Sequence, residues 1–140
     1  MNVFEHLTQE HDQARELMGQ LKEKPQKRGF EQLRGALEQH VGGEEKVVYK
    51  ALDKHPELHT HVLESIEEHR VVKRLLNEIS KLEPKDEKWQ AKFKVLKEAV
   101  EHHAQEEEET IFPQAQQLID AQAAQELDTR YSEAEKKLAA

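Results

Sequence analysis

The chain has 140 residues, of which 36% are hydrophobic and 36% are charged, and its formal net charge is −8. The length predicts a single domain, and the scarcity of glycine, proline and aromatic residues favours long amphipathic helices over strands. The absence of cysteine excludes disulfides and thiolate metal sites, and the acidic balance argues against a nucleic-acid surface.

Four long helices are predicted in chain order, each with apolar residues at steps of three and four. They span about residues 3–23, 30–54, 56–79 and 87–113, with Pro25, Pro56 and the N-cap Asp86 marking the connections. Short connections between long helices favour antiparallel neighbours. We therefore predict an all-α domain, residues 1–140, in which about 3–113 form an up-down-up-down four-helix bundle.

A C-terminal helical extension is predicted over about residues 114–140. It contains a weaker fifth helix, opened by Asp120, which we expect to pack outside the bundle. The N-terminal segment lacks the basic start and apolar core of a secretory signal, and no apolar run is long enough to cross a bilayer. We expect a cytoplasmic protein without nucleic-acid or membrane partners.

Each of the four bundle helices carries one histidine on its apolar stripe, and two of these histidines are followed one turn later by a glutamate. A polar group in a core must find a partner, so six such residues at matched positions are difficult to explain as packing. Imidazole and carboxylate without thiolate suit iron, zinc or manganese. The pattern predicts a metal site inside the bundle, formed by His11, His40, Glu44, His69, His103 and Glu107.

An internal repeat supports this set. Residues 39–49 align without gaps on residues 102–112, and residues 9–12 align similarly on residues 67–70. The chain is therefore two helix pairs, each with a lone histidine followed by a His-x-x-x-Glu motif. A pseudo-two-fold arrangement of this kind predicts two like metal positions side by side. Symmetry alone suggests two histidines for each metal, with Glu44 and Glu107 as bridges.

Other His-x-x-x-Glu pairs occur in this glutamate-rich chain. We interpret His6 and Glu10 as a coincidence. His102 and Glu106 share the spacing of His103 and Glu107, but the stripe and the repeat favour the latter pair. The other glutamates of the 106–109 run are interpreted as a solvated face. No histidine has a glutamate three residues before it, which excludes the Glu-x-x-His pattern of ferritin-like bundles.

Two further features have more than one interpretation. Gly42 and Gly43 cost roughly 1 kcal/mol each inside a helix relative to alanine. They indicate a close helix approach or a gap for a small ligand, with a simple kink as the alternative. His55, His59 and His61 lie around Pro56, which breaks helical spacing, so a surface turn is favoured over a second metal site.

The order His, His-x-x-x-Glu, His, His-x-x-x-Glu over about residues 3–113 resembles the hemerythrin-like, or HHE cation-binding, family. The segment HHAQEEEETIFP at 102–113 is similar to the usual fourth-helix signature of that family. The resemblance implies a four-helix bundle around two non-heme iron ions joined by an oxo or hydroxo bridge. The ligands that it implies are His11, His40, Glu44, His69, His103 and Glu107.

The chain departs from the oxygen-carrying hemerythrins at two positions. Lys73 stands where those proteins have a fifth histidine, and Glu107 follows His103 by four residues where they have an aspartate at five. With four histidines, both metal ions would be open or would recruit another ligand. This departure argues against reversible oxygen carriage.

Three functional hypotheses follow. The leading one is a di-iron protein that binds or reacts with a small oxidant or gas, such as dioxygen, peroxide or nitric oxide, in sensing, scavenging or iron handling. As a sensor it would need a protein partner. The second is a di-iron enzyme with peroxidase-like, catalase-like or oxidase activity. The third is a metal-free helical interaction module. The sequence leaves the resident metal, the physiological ligand and the oligomeric state open.

Overall fold

The computed structural model describes residues 1–139, and all regular structure within this range is helical. Helix α1 spans Val3–Glu23. Helix α2 consists of Lys27–Gly43, a π turn at Glu44–Val48 and the segment Tyr49–Leu52. A 3₁₀ turn, Pro56–Leu58, precedes α3 at His59–Ser80. Helix α4 consists of Glu87–Glu106, a π turn at Glu107–Ile111 and the segment Phe112–Leu118, and α5 spans Ala121–Ala139.

The predicted fold class, a four-helix bundle with an additional C-terminal helix, is confirmed. The side chain of Asp86 caps α4 as expected, because it accepts a hydrogen bond from the Lys88 N–H at 2.8 Å. Within the described range, no helix combines the length and the apolar character that a bilayer crossing requires.

The core consists of two apolar clusters separated by a polar layer. One cluster includes Phe4, Leu7 and Leu52, and the other includes Ala14, Leu33 and Trp89. A fully buried side chain of this kind contributes roughly 1.5–3 kcal/mol, so the two clusters together offset the cost of burying polar groups between them. The polar layer occurs where the apolar stripe of each helix is interrupted by its histidine.

Both π turns begin at a glutamate of the repeat. The Tyr49 N–H bonds to the Glu44 carbonyl and the Phe112 N–H bonds to the Glu107 carbonyl, each five residues back. The prediction that α4 ends near Pro113 is wrong, because the helix continues to Leu118. Pro113 lies in the first turn after the π turn, where its fixed φ of about −65° suits a helical backbone.

Helix α5 packs closely against α1 and α2, outside the four-helix core. Its buried face consists of Ala124, Leu127 and Tyr131. A Cβ atom on Gly43 would lie 2.5 Å from Tyr131 Cε1, and one on Gly42 would lie 2.7 Å from Leu138 Cδ1. The two glycines therefore permit a close helix approach. The backbone at Gly43 stays helical (φ −64°, ψ −42°).

Candidate metal centre

The six side chains selected from the sequence lie together in the polar layer. All six are buried, and even His40 is only 7% exposed. Their donor atoms form two sets, in each of which the atoms lie within 4.8 Å of one another. One set contains His11, His40 and Glu107, and the other contains Glu44, His69 and His103.

The four histidines form two pairs that follow the sequence repeat. His11 and His40 form the α1/α2 histidine pair, with ring centroids 5.0 Å apart. His69 and His103 form the α3/α4 histidine pair, with centroids 4.7 Å apart. Each pair combines the lone histidine of one helix with the His-x-x-x-Glu histidine of the next.

The two glutamates connect the two histidine pairs. Glu44 Oε1 lies 3.2 Å from His40 Nε2 and 3.1 Å from His69 Nε2. Glu107 Oε1 lies 3.0 Å from His11 Nε2, and its Oε2 lies 3.4 Å from His103 Nε2. Each glutamate thus contacts both pairs, as expected of bridging carboxylates. The ligand roles themselves stay predictions.

The other ring nitrogen of every central histidine bonds to a second carboxylate. The four Nδ1 atoms lie 2.6–2.8 Å from a carboxylate oxygen: His11 with Glu108, His40 with Glu10, His69 with Glu45, and His103 with Glu68. We call Glu10, Glu45, Glu68 and Glu108 the outer carboxylates. A metal-binding histidine is usually oriented in this way, with its second nitrogen donating to a carboxylate or carbonyl. All four Nε2 atoms consequently face the centre.

The outer carboxylates were missed in the sequence, although the repeat contains their signal. A glutamate precedes each lone histidine, at Glu10 and Glu68, and another follows each central glutamate, at Glu45 and Glu108. The assignment of Glu108 to a solvated face is therefore wrong, since its side chain is 24% exposed and bonds to His11. Carboxylates adjacent to ligand-type residues in both halves were the available clue.

A cation supports the outer carboxylate of each lone histidine. Arg15 Nη1 donates to Glu108 at 3.0 Å, and Lys73 Nζ donates to Glu45 at 3.1 Å. Both cations follow the lone histidine of their helix by four residues. Lys73, at the position of the absent fifth histidine, therefore lies on the solvent side of Glu45 and does not enter the centre.

Tyr49 adds a phenol to the centre and was also missed in the sequence. Its hydroxyl donates to Glu107 Oε2 at 2.7 Å and lies 3.1 Å from the Nε2 atoms of both His69 and His103. Its ring stacks on His69, just as the ring of its repeat counterpart, Phe112, stacks on His11. Tyr49 aligns on Phe112 in the gapless repeat, and the hydroxyl that Phe112 lacks was the available signal.

The charges of the centre favour protonated histidines when no metal is bound. Burial alone lowers the pKa of His40, but the adjacent Glu44 and Glu10 raise it to about 10. Burial also lowers the pKa values of His69 and His103, but nearby carboxylates outweigh burial and raise both values. The pKa of Glu44 falls well below its usual range because His40 and the other histidines outweigh its burial. A bound metal would displace these protons.

Two buried atoms of the centre have no hydrogen-bond partner within residues 1–139, namely Glu44 Oε2 and His40 Nε2, whose 3.2 Å contact with Glu44 Oε1 lacks hydrogen-bond geometry. An unpaired buried donor or acceptor in a native structure requires an explanation, such as an ion. The remaining donor atoms are imidazole nitrogens and carboxylate oxygens, which suit divalent transition metals. The residues present therefore fit a metal centre.

Two histidines outside the predicted set, His102 and His59, lie away from the centre. The side chain of His102 is 65% exposed, and its Nε2 lies 3.6 Å from Glu68. His59 is also exposed and pairs with Asp53 at 2.5 Å, in the turn region around Pro56. The structure thus brings His103, rather than His102, into the polar layer.

A cavity of about 550 Å³ connects the polar layer with solvent between α1 and α2. All four central histidines line it. Its inner wall is apolar, with Ala14, Leu37 and Val72, and its mouth is polar and acidic, with Gln13 and Glu16. A small uncharged molecule can pass the apolar wall and reach the histidines, whereas a charged molecule would lose its hydration there.

Comparison with known proteins gives one finding. A family model described as the hemerythrin HHE cation-binding domain matches residues 2–115. The matched range contains all six central side chains and Tyr49, and it ends before α5. No curated protein and no solved structure gives a significant match.

Proposed function

The chain belongs to the hemerythrin HHE cation-binding domain family, and on that premise we propose that its centre holds two iron ions. One ion would lie at each histidine pair, with Glu44 and Glu107 shared between them. The observation that carries the proposal is the orientation of the histidines: four Nδ1 atoms bond to outer carboxylates, and four Nε2 atoms face two shared carboxylates.

Tyr49 is the candidate additional ligand on the α3/α4 side. Lys73 lies outside the centre, whereas the Tyr49 oxygen is buried beside both Nε2 atoms of that pair. Burial, together with the charges of Glu107 and Glu44, raises the pKa of Tyr49. Without a metal the phenol therefore keeps its proton and donates a hydrogen bond to Glu107. A metal cation would oppose that effect by stabilising the phenolate.

The proposed ligand of the di-iron centre is a small oxidant or gas, such as dioxygen, peroxide or nitric oxide. Iron would supply the ability to bind such a molecule or exchange electrons with it. The chain contributes the cavity that admits the molecule and the apolar walls that limit water. Sensing, scavenging and iron handling are all compatible with this chemistry.

The decisive experiment is metal analysis of protein purified without a chelating tag, combined with optical spectra before and after exposure to dioxygen. We expect two iron ions per chain and a ferric absorption that changes with dioxygen or peroxide. If neither iron, manganese nor zinc binds even after reconstitution, the proposal is wrong and the chain is a metal-free helical module.

Two further measurements refine the result. Tyr49→Phe should keep both iron ions but lose any visible phenolate-to-iron band; an unchanged spectrum would remove Tyr49 from the ligand set. Peroxide consumption no faster than that of free iron would support a binding or sensing role. Sustained turnover well above that of free iron would instead assign a di-iron enzyme.

A further inference from the structure

A second group of metal-type donor atoms lies outside the centre, between α1 and α5. His6 Nε2 is 3.2 Å from Glu10 Oε2 and 3.6 Å from Glu135 Oε1. The three residues each offer one ligand atom, and these atoms lie within 4.8 Å of one another. We call His6, Glu10 and Glu135 the α1/α5 cluster. One imidazole and two carboxylates suit divalent manganese, iron or zinc.

Each member of the α1/α5 cluster is fixed through its other polar atom. His6 Nδ1 bonds to Asp128 at 2.6 Å. Glu10 Oε1 accepts from His40 Nδ1 at 2.8 Å. The Tyr131 hydroxyl lies between the two glutamates, 2.5 Å from Glu10 Oε1 and 3.0 Å from Glu135 Oε2, and donates its one proton to either of them.

The remaining atoms, one from each cluster member, therefore face one another. His6 shows the same orientation as the central histidines, with Nδ1 on a carboxylate and Nε2 toward two carboxylate oxygens. Such support is typical of metal-binding histidines. A simple ion pair between His6 and Glu10 would need neither Asp128 nor Tyr131.

The charge around the cluster also favours a cation. Glu10, Glu135 and Asp128 supply three carboxylates to only two imidazoles, those of His6 and His40, so the acidic groups outnumber their possible cationic partners. Their side chains are only 15–21% exposed, and partly buried like charges are screened less than charges at an open surface. A divalent ion would neutralise this excess.

An ion could reach the cluster from solvent. Glu10 and Glu135 line the same cavity as His11 and His40, and their partial exposure leaves room for water to complete the coordination. Glu10 also contacts both sites, because one of its oxygens bonds to His40 and the other faces His6. Three protein donors and partial exposure imply weaker binding than at the centre.

We propose that His6, Glu10 and Glu135 form a mononuclear site for a divalent transition metal, separate from the di-metal centre and connected to it through Glu10. Helix α5 supplies Glu135 and the supporting Tyr131 and Asp128, and it lies beyond residues 2–115 that match the family model. The other half of the bundle has no equivalent site among the described residues, since its corresponding Glu68 has, apart from its bond to His103, only the exposed His102 nearby.

The test is a manganese(II) titration of the metal-free full chain, with free and bound ion separated by equilibrium dialysis or by electron paramagnetic resonance. We expect three ions per chain, of which one binds at least tenfold more weakly. Glu135→Gln should bind two. Glu133→Gln, a change at an exposed position of the same helix, should still bind three. Circular dichroism melts establish that each variant is folded.

A variant with a disabled centre separates this proposal from the di-iron proposal. His11→Ala combined with His103→Ala, which removes one histidine from each pair, should keep the single weak ion, and adding Glu135→Gln should remove it. If the wild type binds one ion that Glu135→Gln abolishes, the α1/α5 site stands and the di-metal centre fails. If Glu135→Gln binds as many ions as the wild type, the α1/α5 cluster is an ion-pair network only and the present proposal is wrong.

Discussion

The two halves of the metal centre agree in almost every contact. Each lone histidine bonds to the glutamate that follows the central glutamate of the other half, and a cation four residues after the histidine supports that glutamate. In each half the His-x-x-x-Glu histidine bonds to the glutamate that precedes the lone histidine. Each half also has a π turn that begins at its central glutamate.

Two of the differences between the halves add oxygen atoms. Tyr49 places a hydroxyl beside the α3/α4 histidine pair, whereas Phe112 presents only a ring to His11. Helix α5 covers Glu10 with Tyr131 and Glu135, whereas Glu68 stays near solvent. The repeated residues thus build a symmetric scaffold. The unrepeated ones give the two metal positions different surroundings.

The largest effect is expected from breaking one half of the scaffold. His103→Ala should abolish occupancy by two metals, because it removes a buried Nε2 that faces both Glu107 and Tyr49. His102→Ala is the matched control and should keep both metals, since this neighbouring side chain is exposed. Metal content per folded chain measures the difference. Equal losses in the two variants would contradict the assignment of His103.

The sequence was sufficient to predict the helices and the six central residues. The steps of three and four placed each histidine on a buried stripe, and the repeat selected His103 and Glu107 from a run with two possible registers. Both signals are local, because the 3.6-residue period of a helix fixes which residues share a face. The structure brings the six side chains to one level of the bundle.

Tyr49 was not predictable from helical periodicity. Five residues along an ideal α-helix correspond to a rotation of about 500°, which places Tyr49 roughly 140° from Glu44. The π turn accommodates an extra residue per turn and brings the two side chains toward the same face. Helical periodicity also gave no indication of Tyr131 and Glu135, because they reach Glu10 through packing of a distant helix.

The metal-free protein should lose stability as the pH rises. The pKa values of His40, His69 and His103 are higher in the folded chain than the usual 6.5. Their stabilisation is therefore complete below about pH 6.5 and is lost as the pH rises through the folded values, which reach about 10 for His40.

The expected slope is at most about 1.4 kcal/mol per pH unit for each histidine that is protonated only when folded. Denaturant unfolding of metal-free protein at pH 6, 8 and 10 measures the effect. The metal-loaded protein should show a weaker dependence over this range, because metal binding has already displaced the protons. A free energy of unfolding that does not fall between pH 6.5 and 10 would contradict the protonated arrangement.

The outer carboxylates test whether the halves are energetically equivalent. Glu45→Gln and Glu108→Gln each remove the charge that orients a lone histidine, and each should weaken metal binding by about 10- to 100-fold. Because their contacts are alike, the two losses should agree closely. Glu109→Gln, at an exposed position beside Glu108, serves as the control in competition titrations with a chelator of known affinity. A loss in only one of the two variants would show that the scaffold is symmetric in shape but not in energy.

The smallest effect concerns the helix that only one half carries. Gly43→Ala would place a Cβ atom 2.5 Å from Tyr131 Cε1, so α5 must shift, and overpacking of this kind costs about 1–3 kcal/mol. Gly35→Ala has no atom within 4 Å of the new Cβ and should stabilise the helix by up to about 1 kcal/mol. Thermal or denaturant unfolding compares the two. Glu106 occupies the position of Gly43 in the other half, where α5 does not pack. Because that half has its histidine pair without such a helix contact, the Gly43→Ala variant should still bind both metals. A loss of the centre in this variant would mean that α5 supports the metal ligands directly, and the two halves would then depend on different parts of the chain.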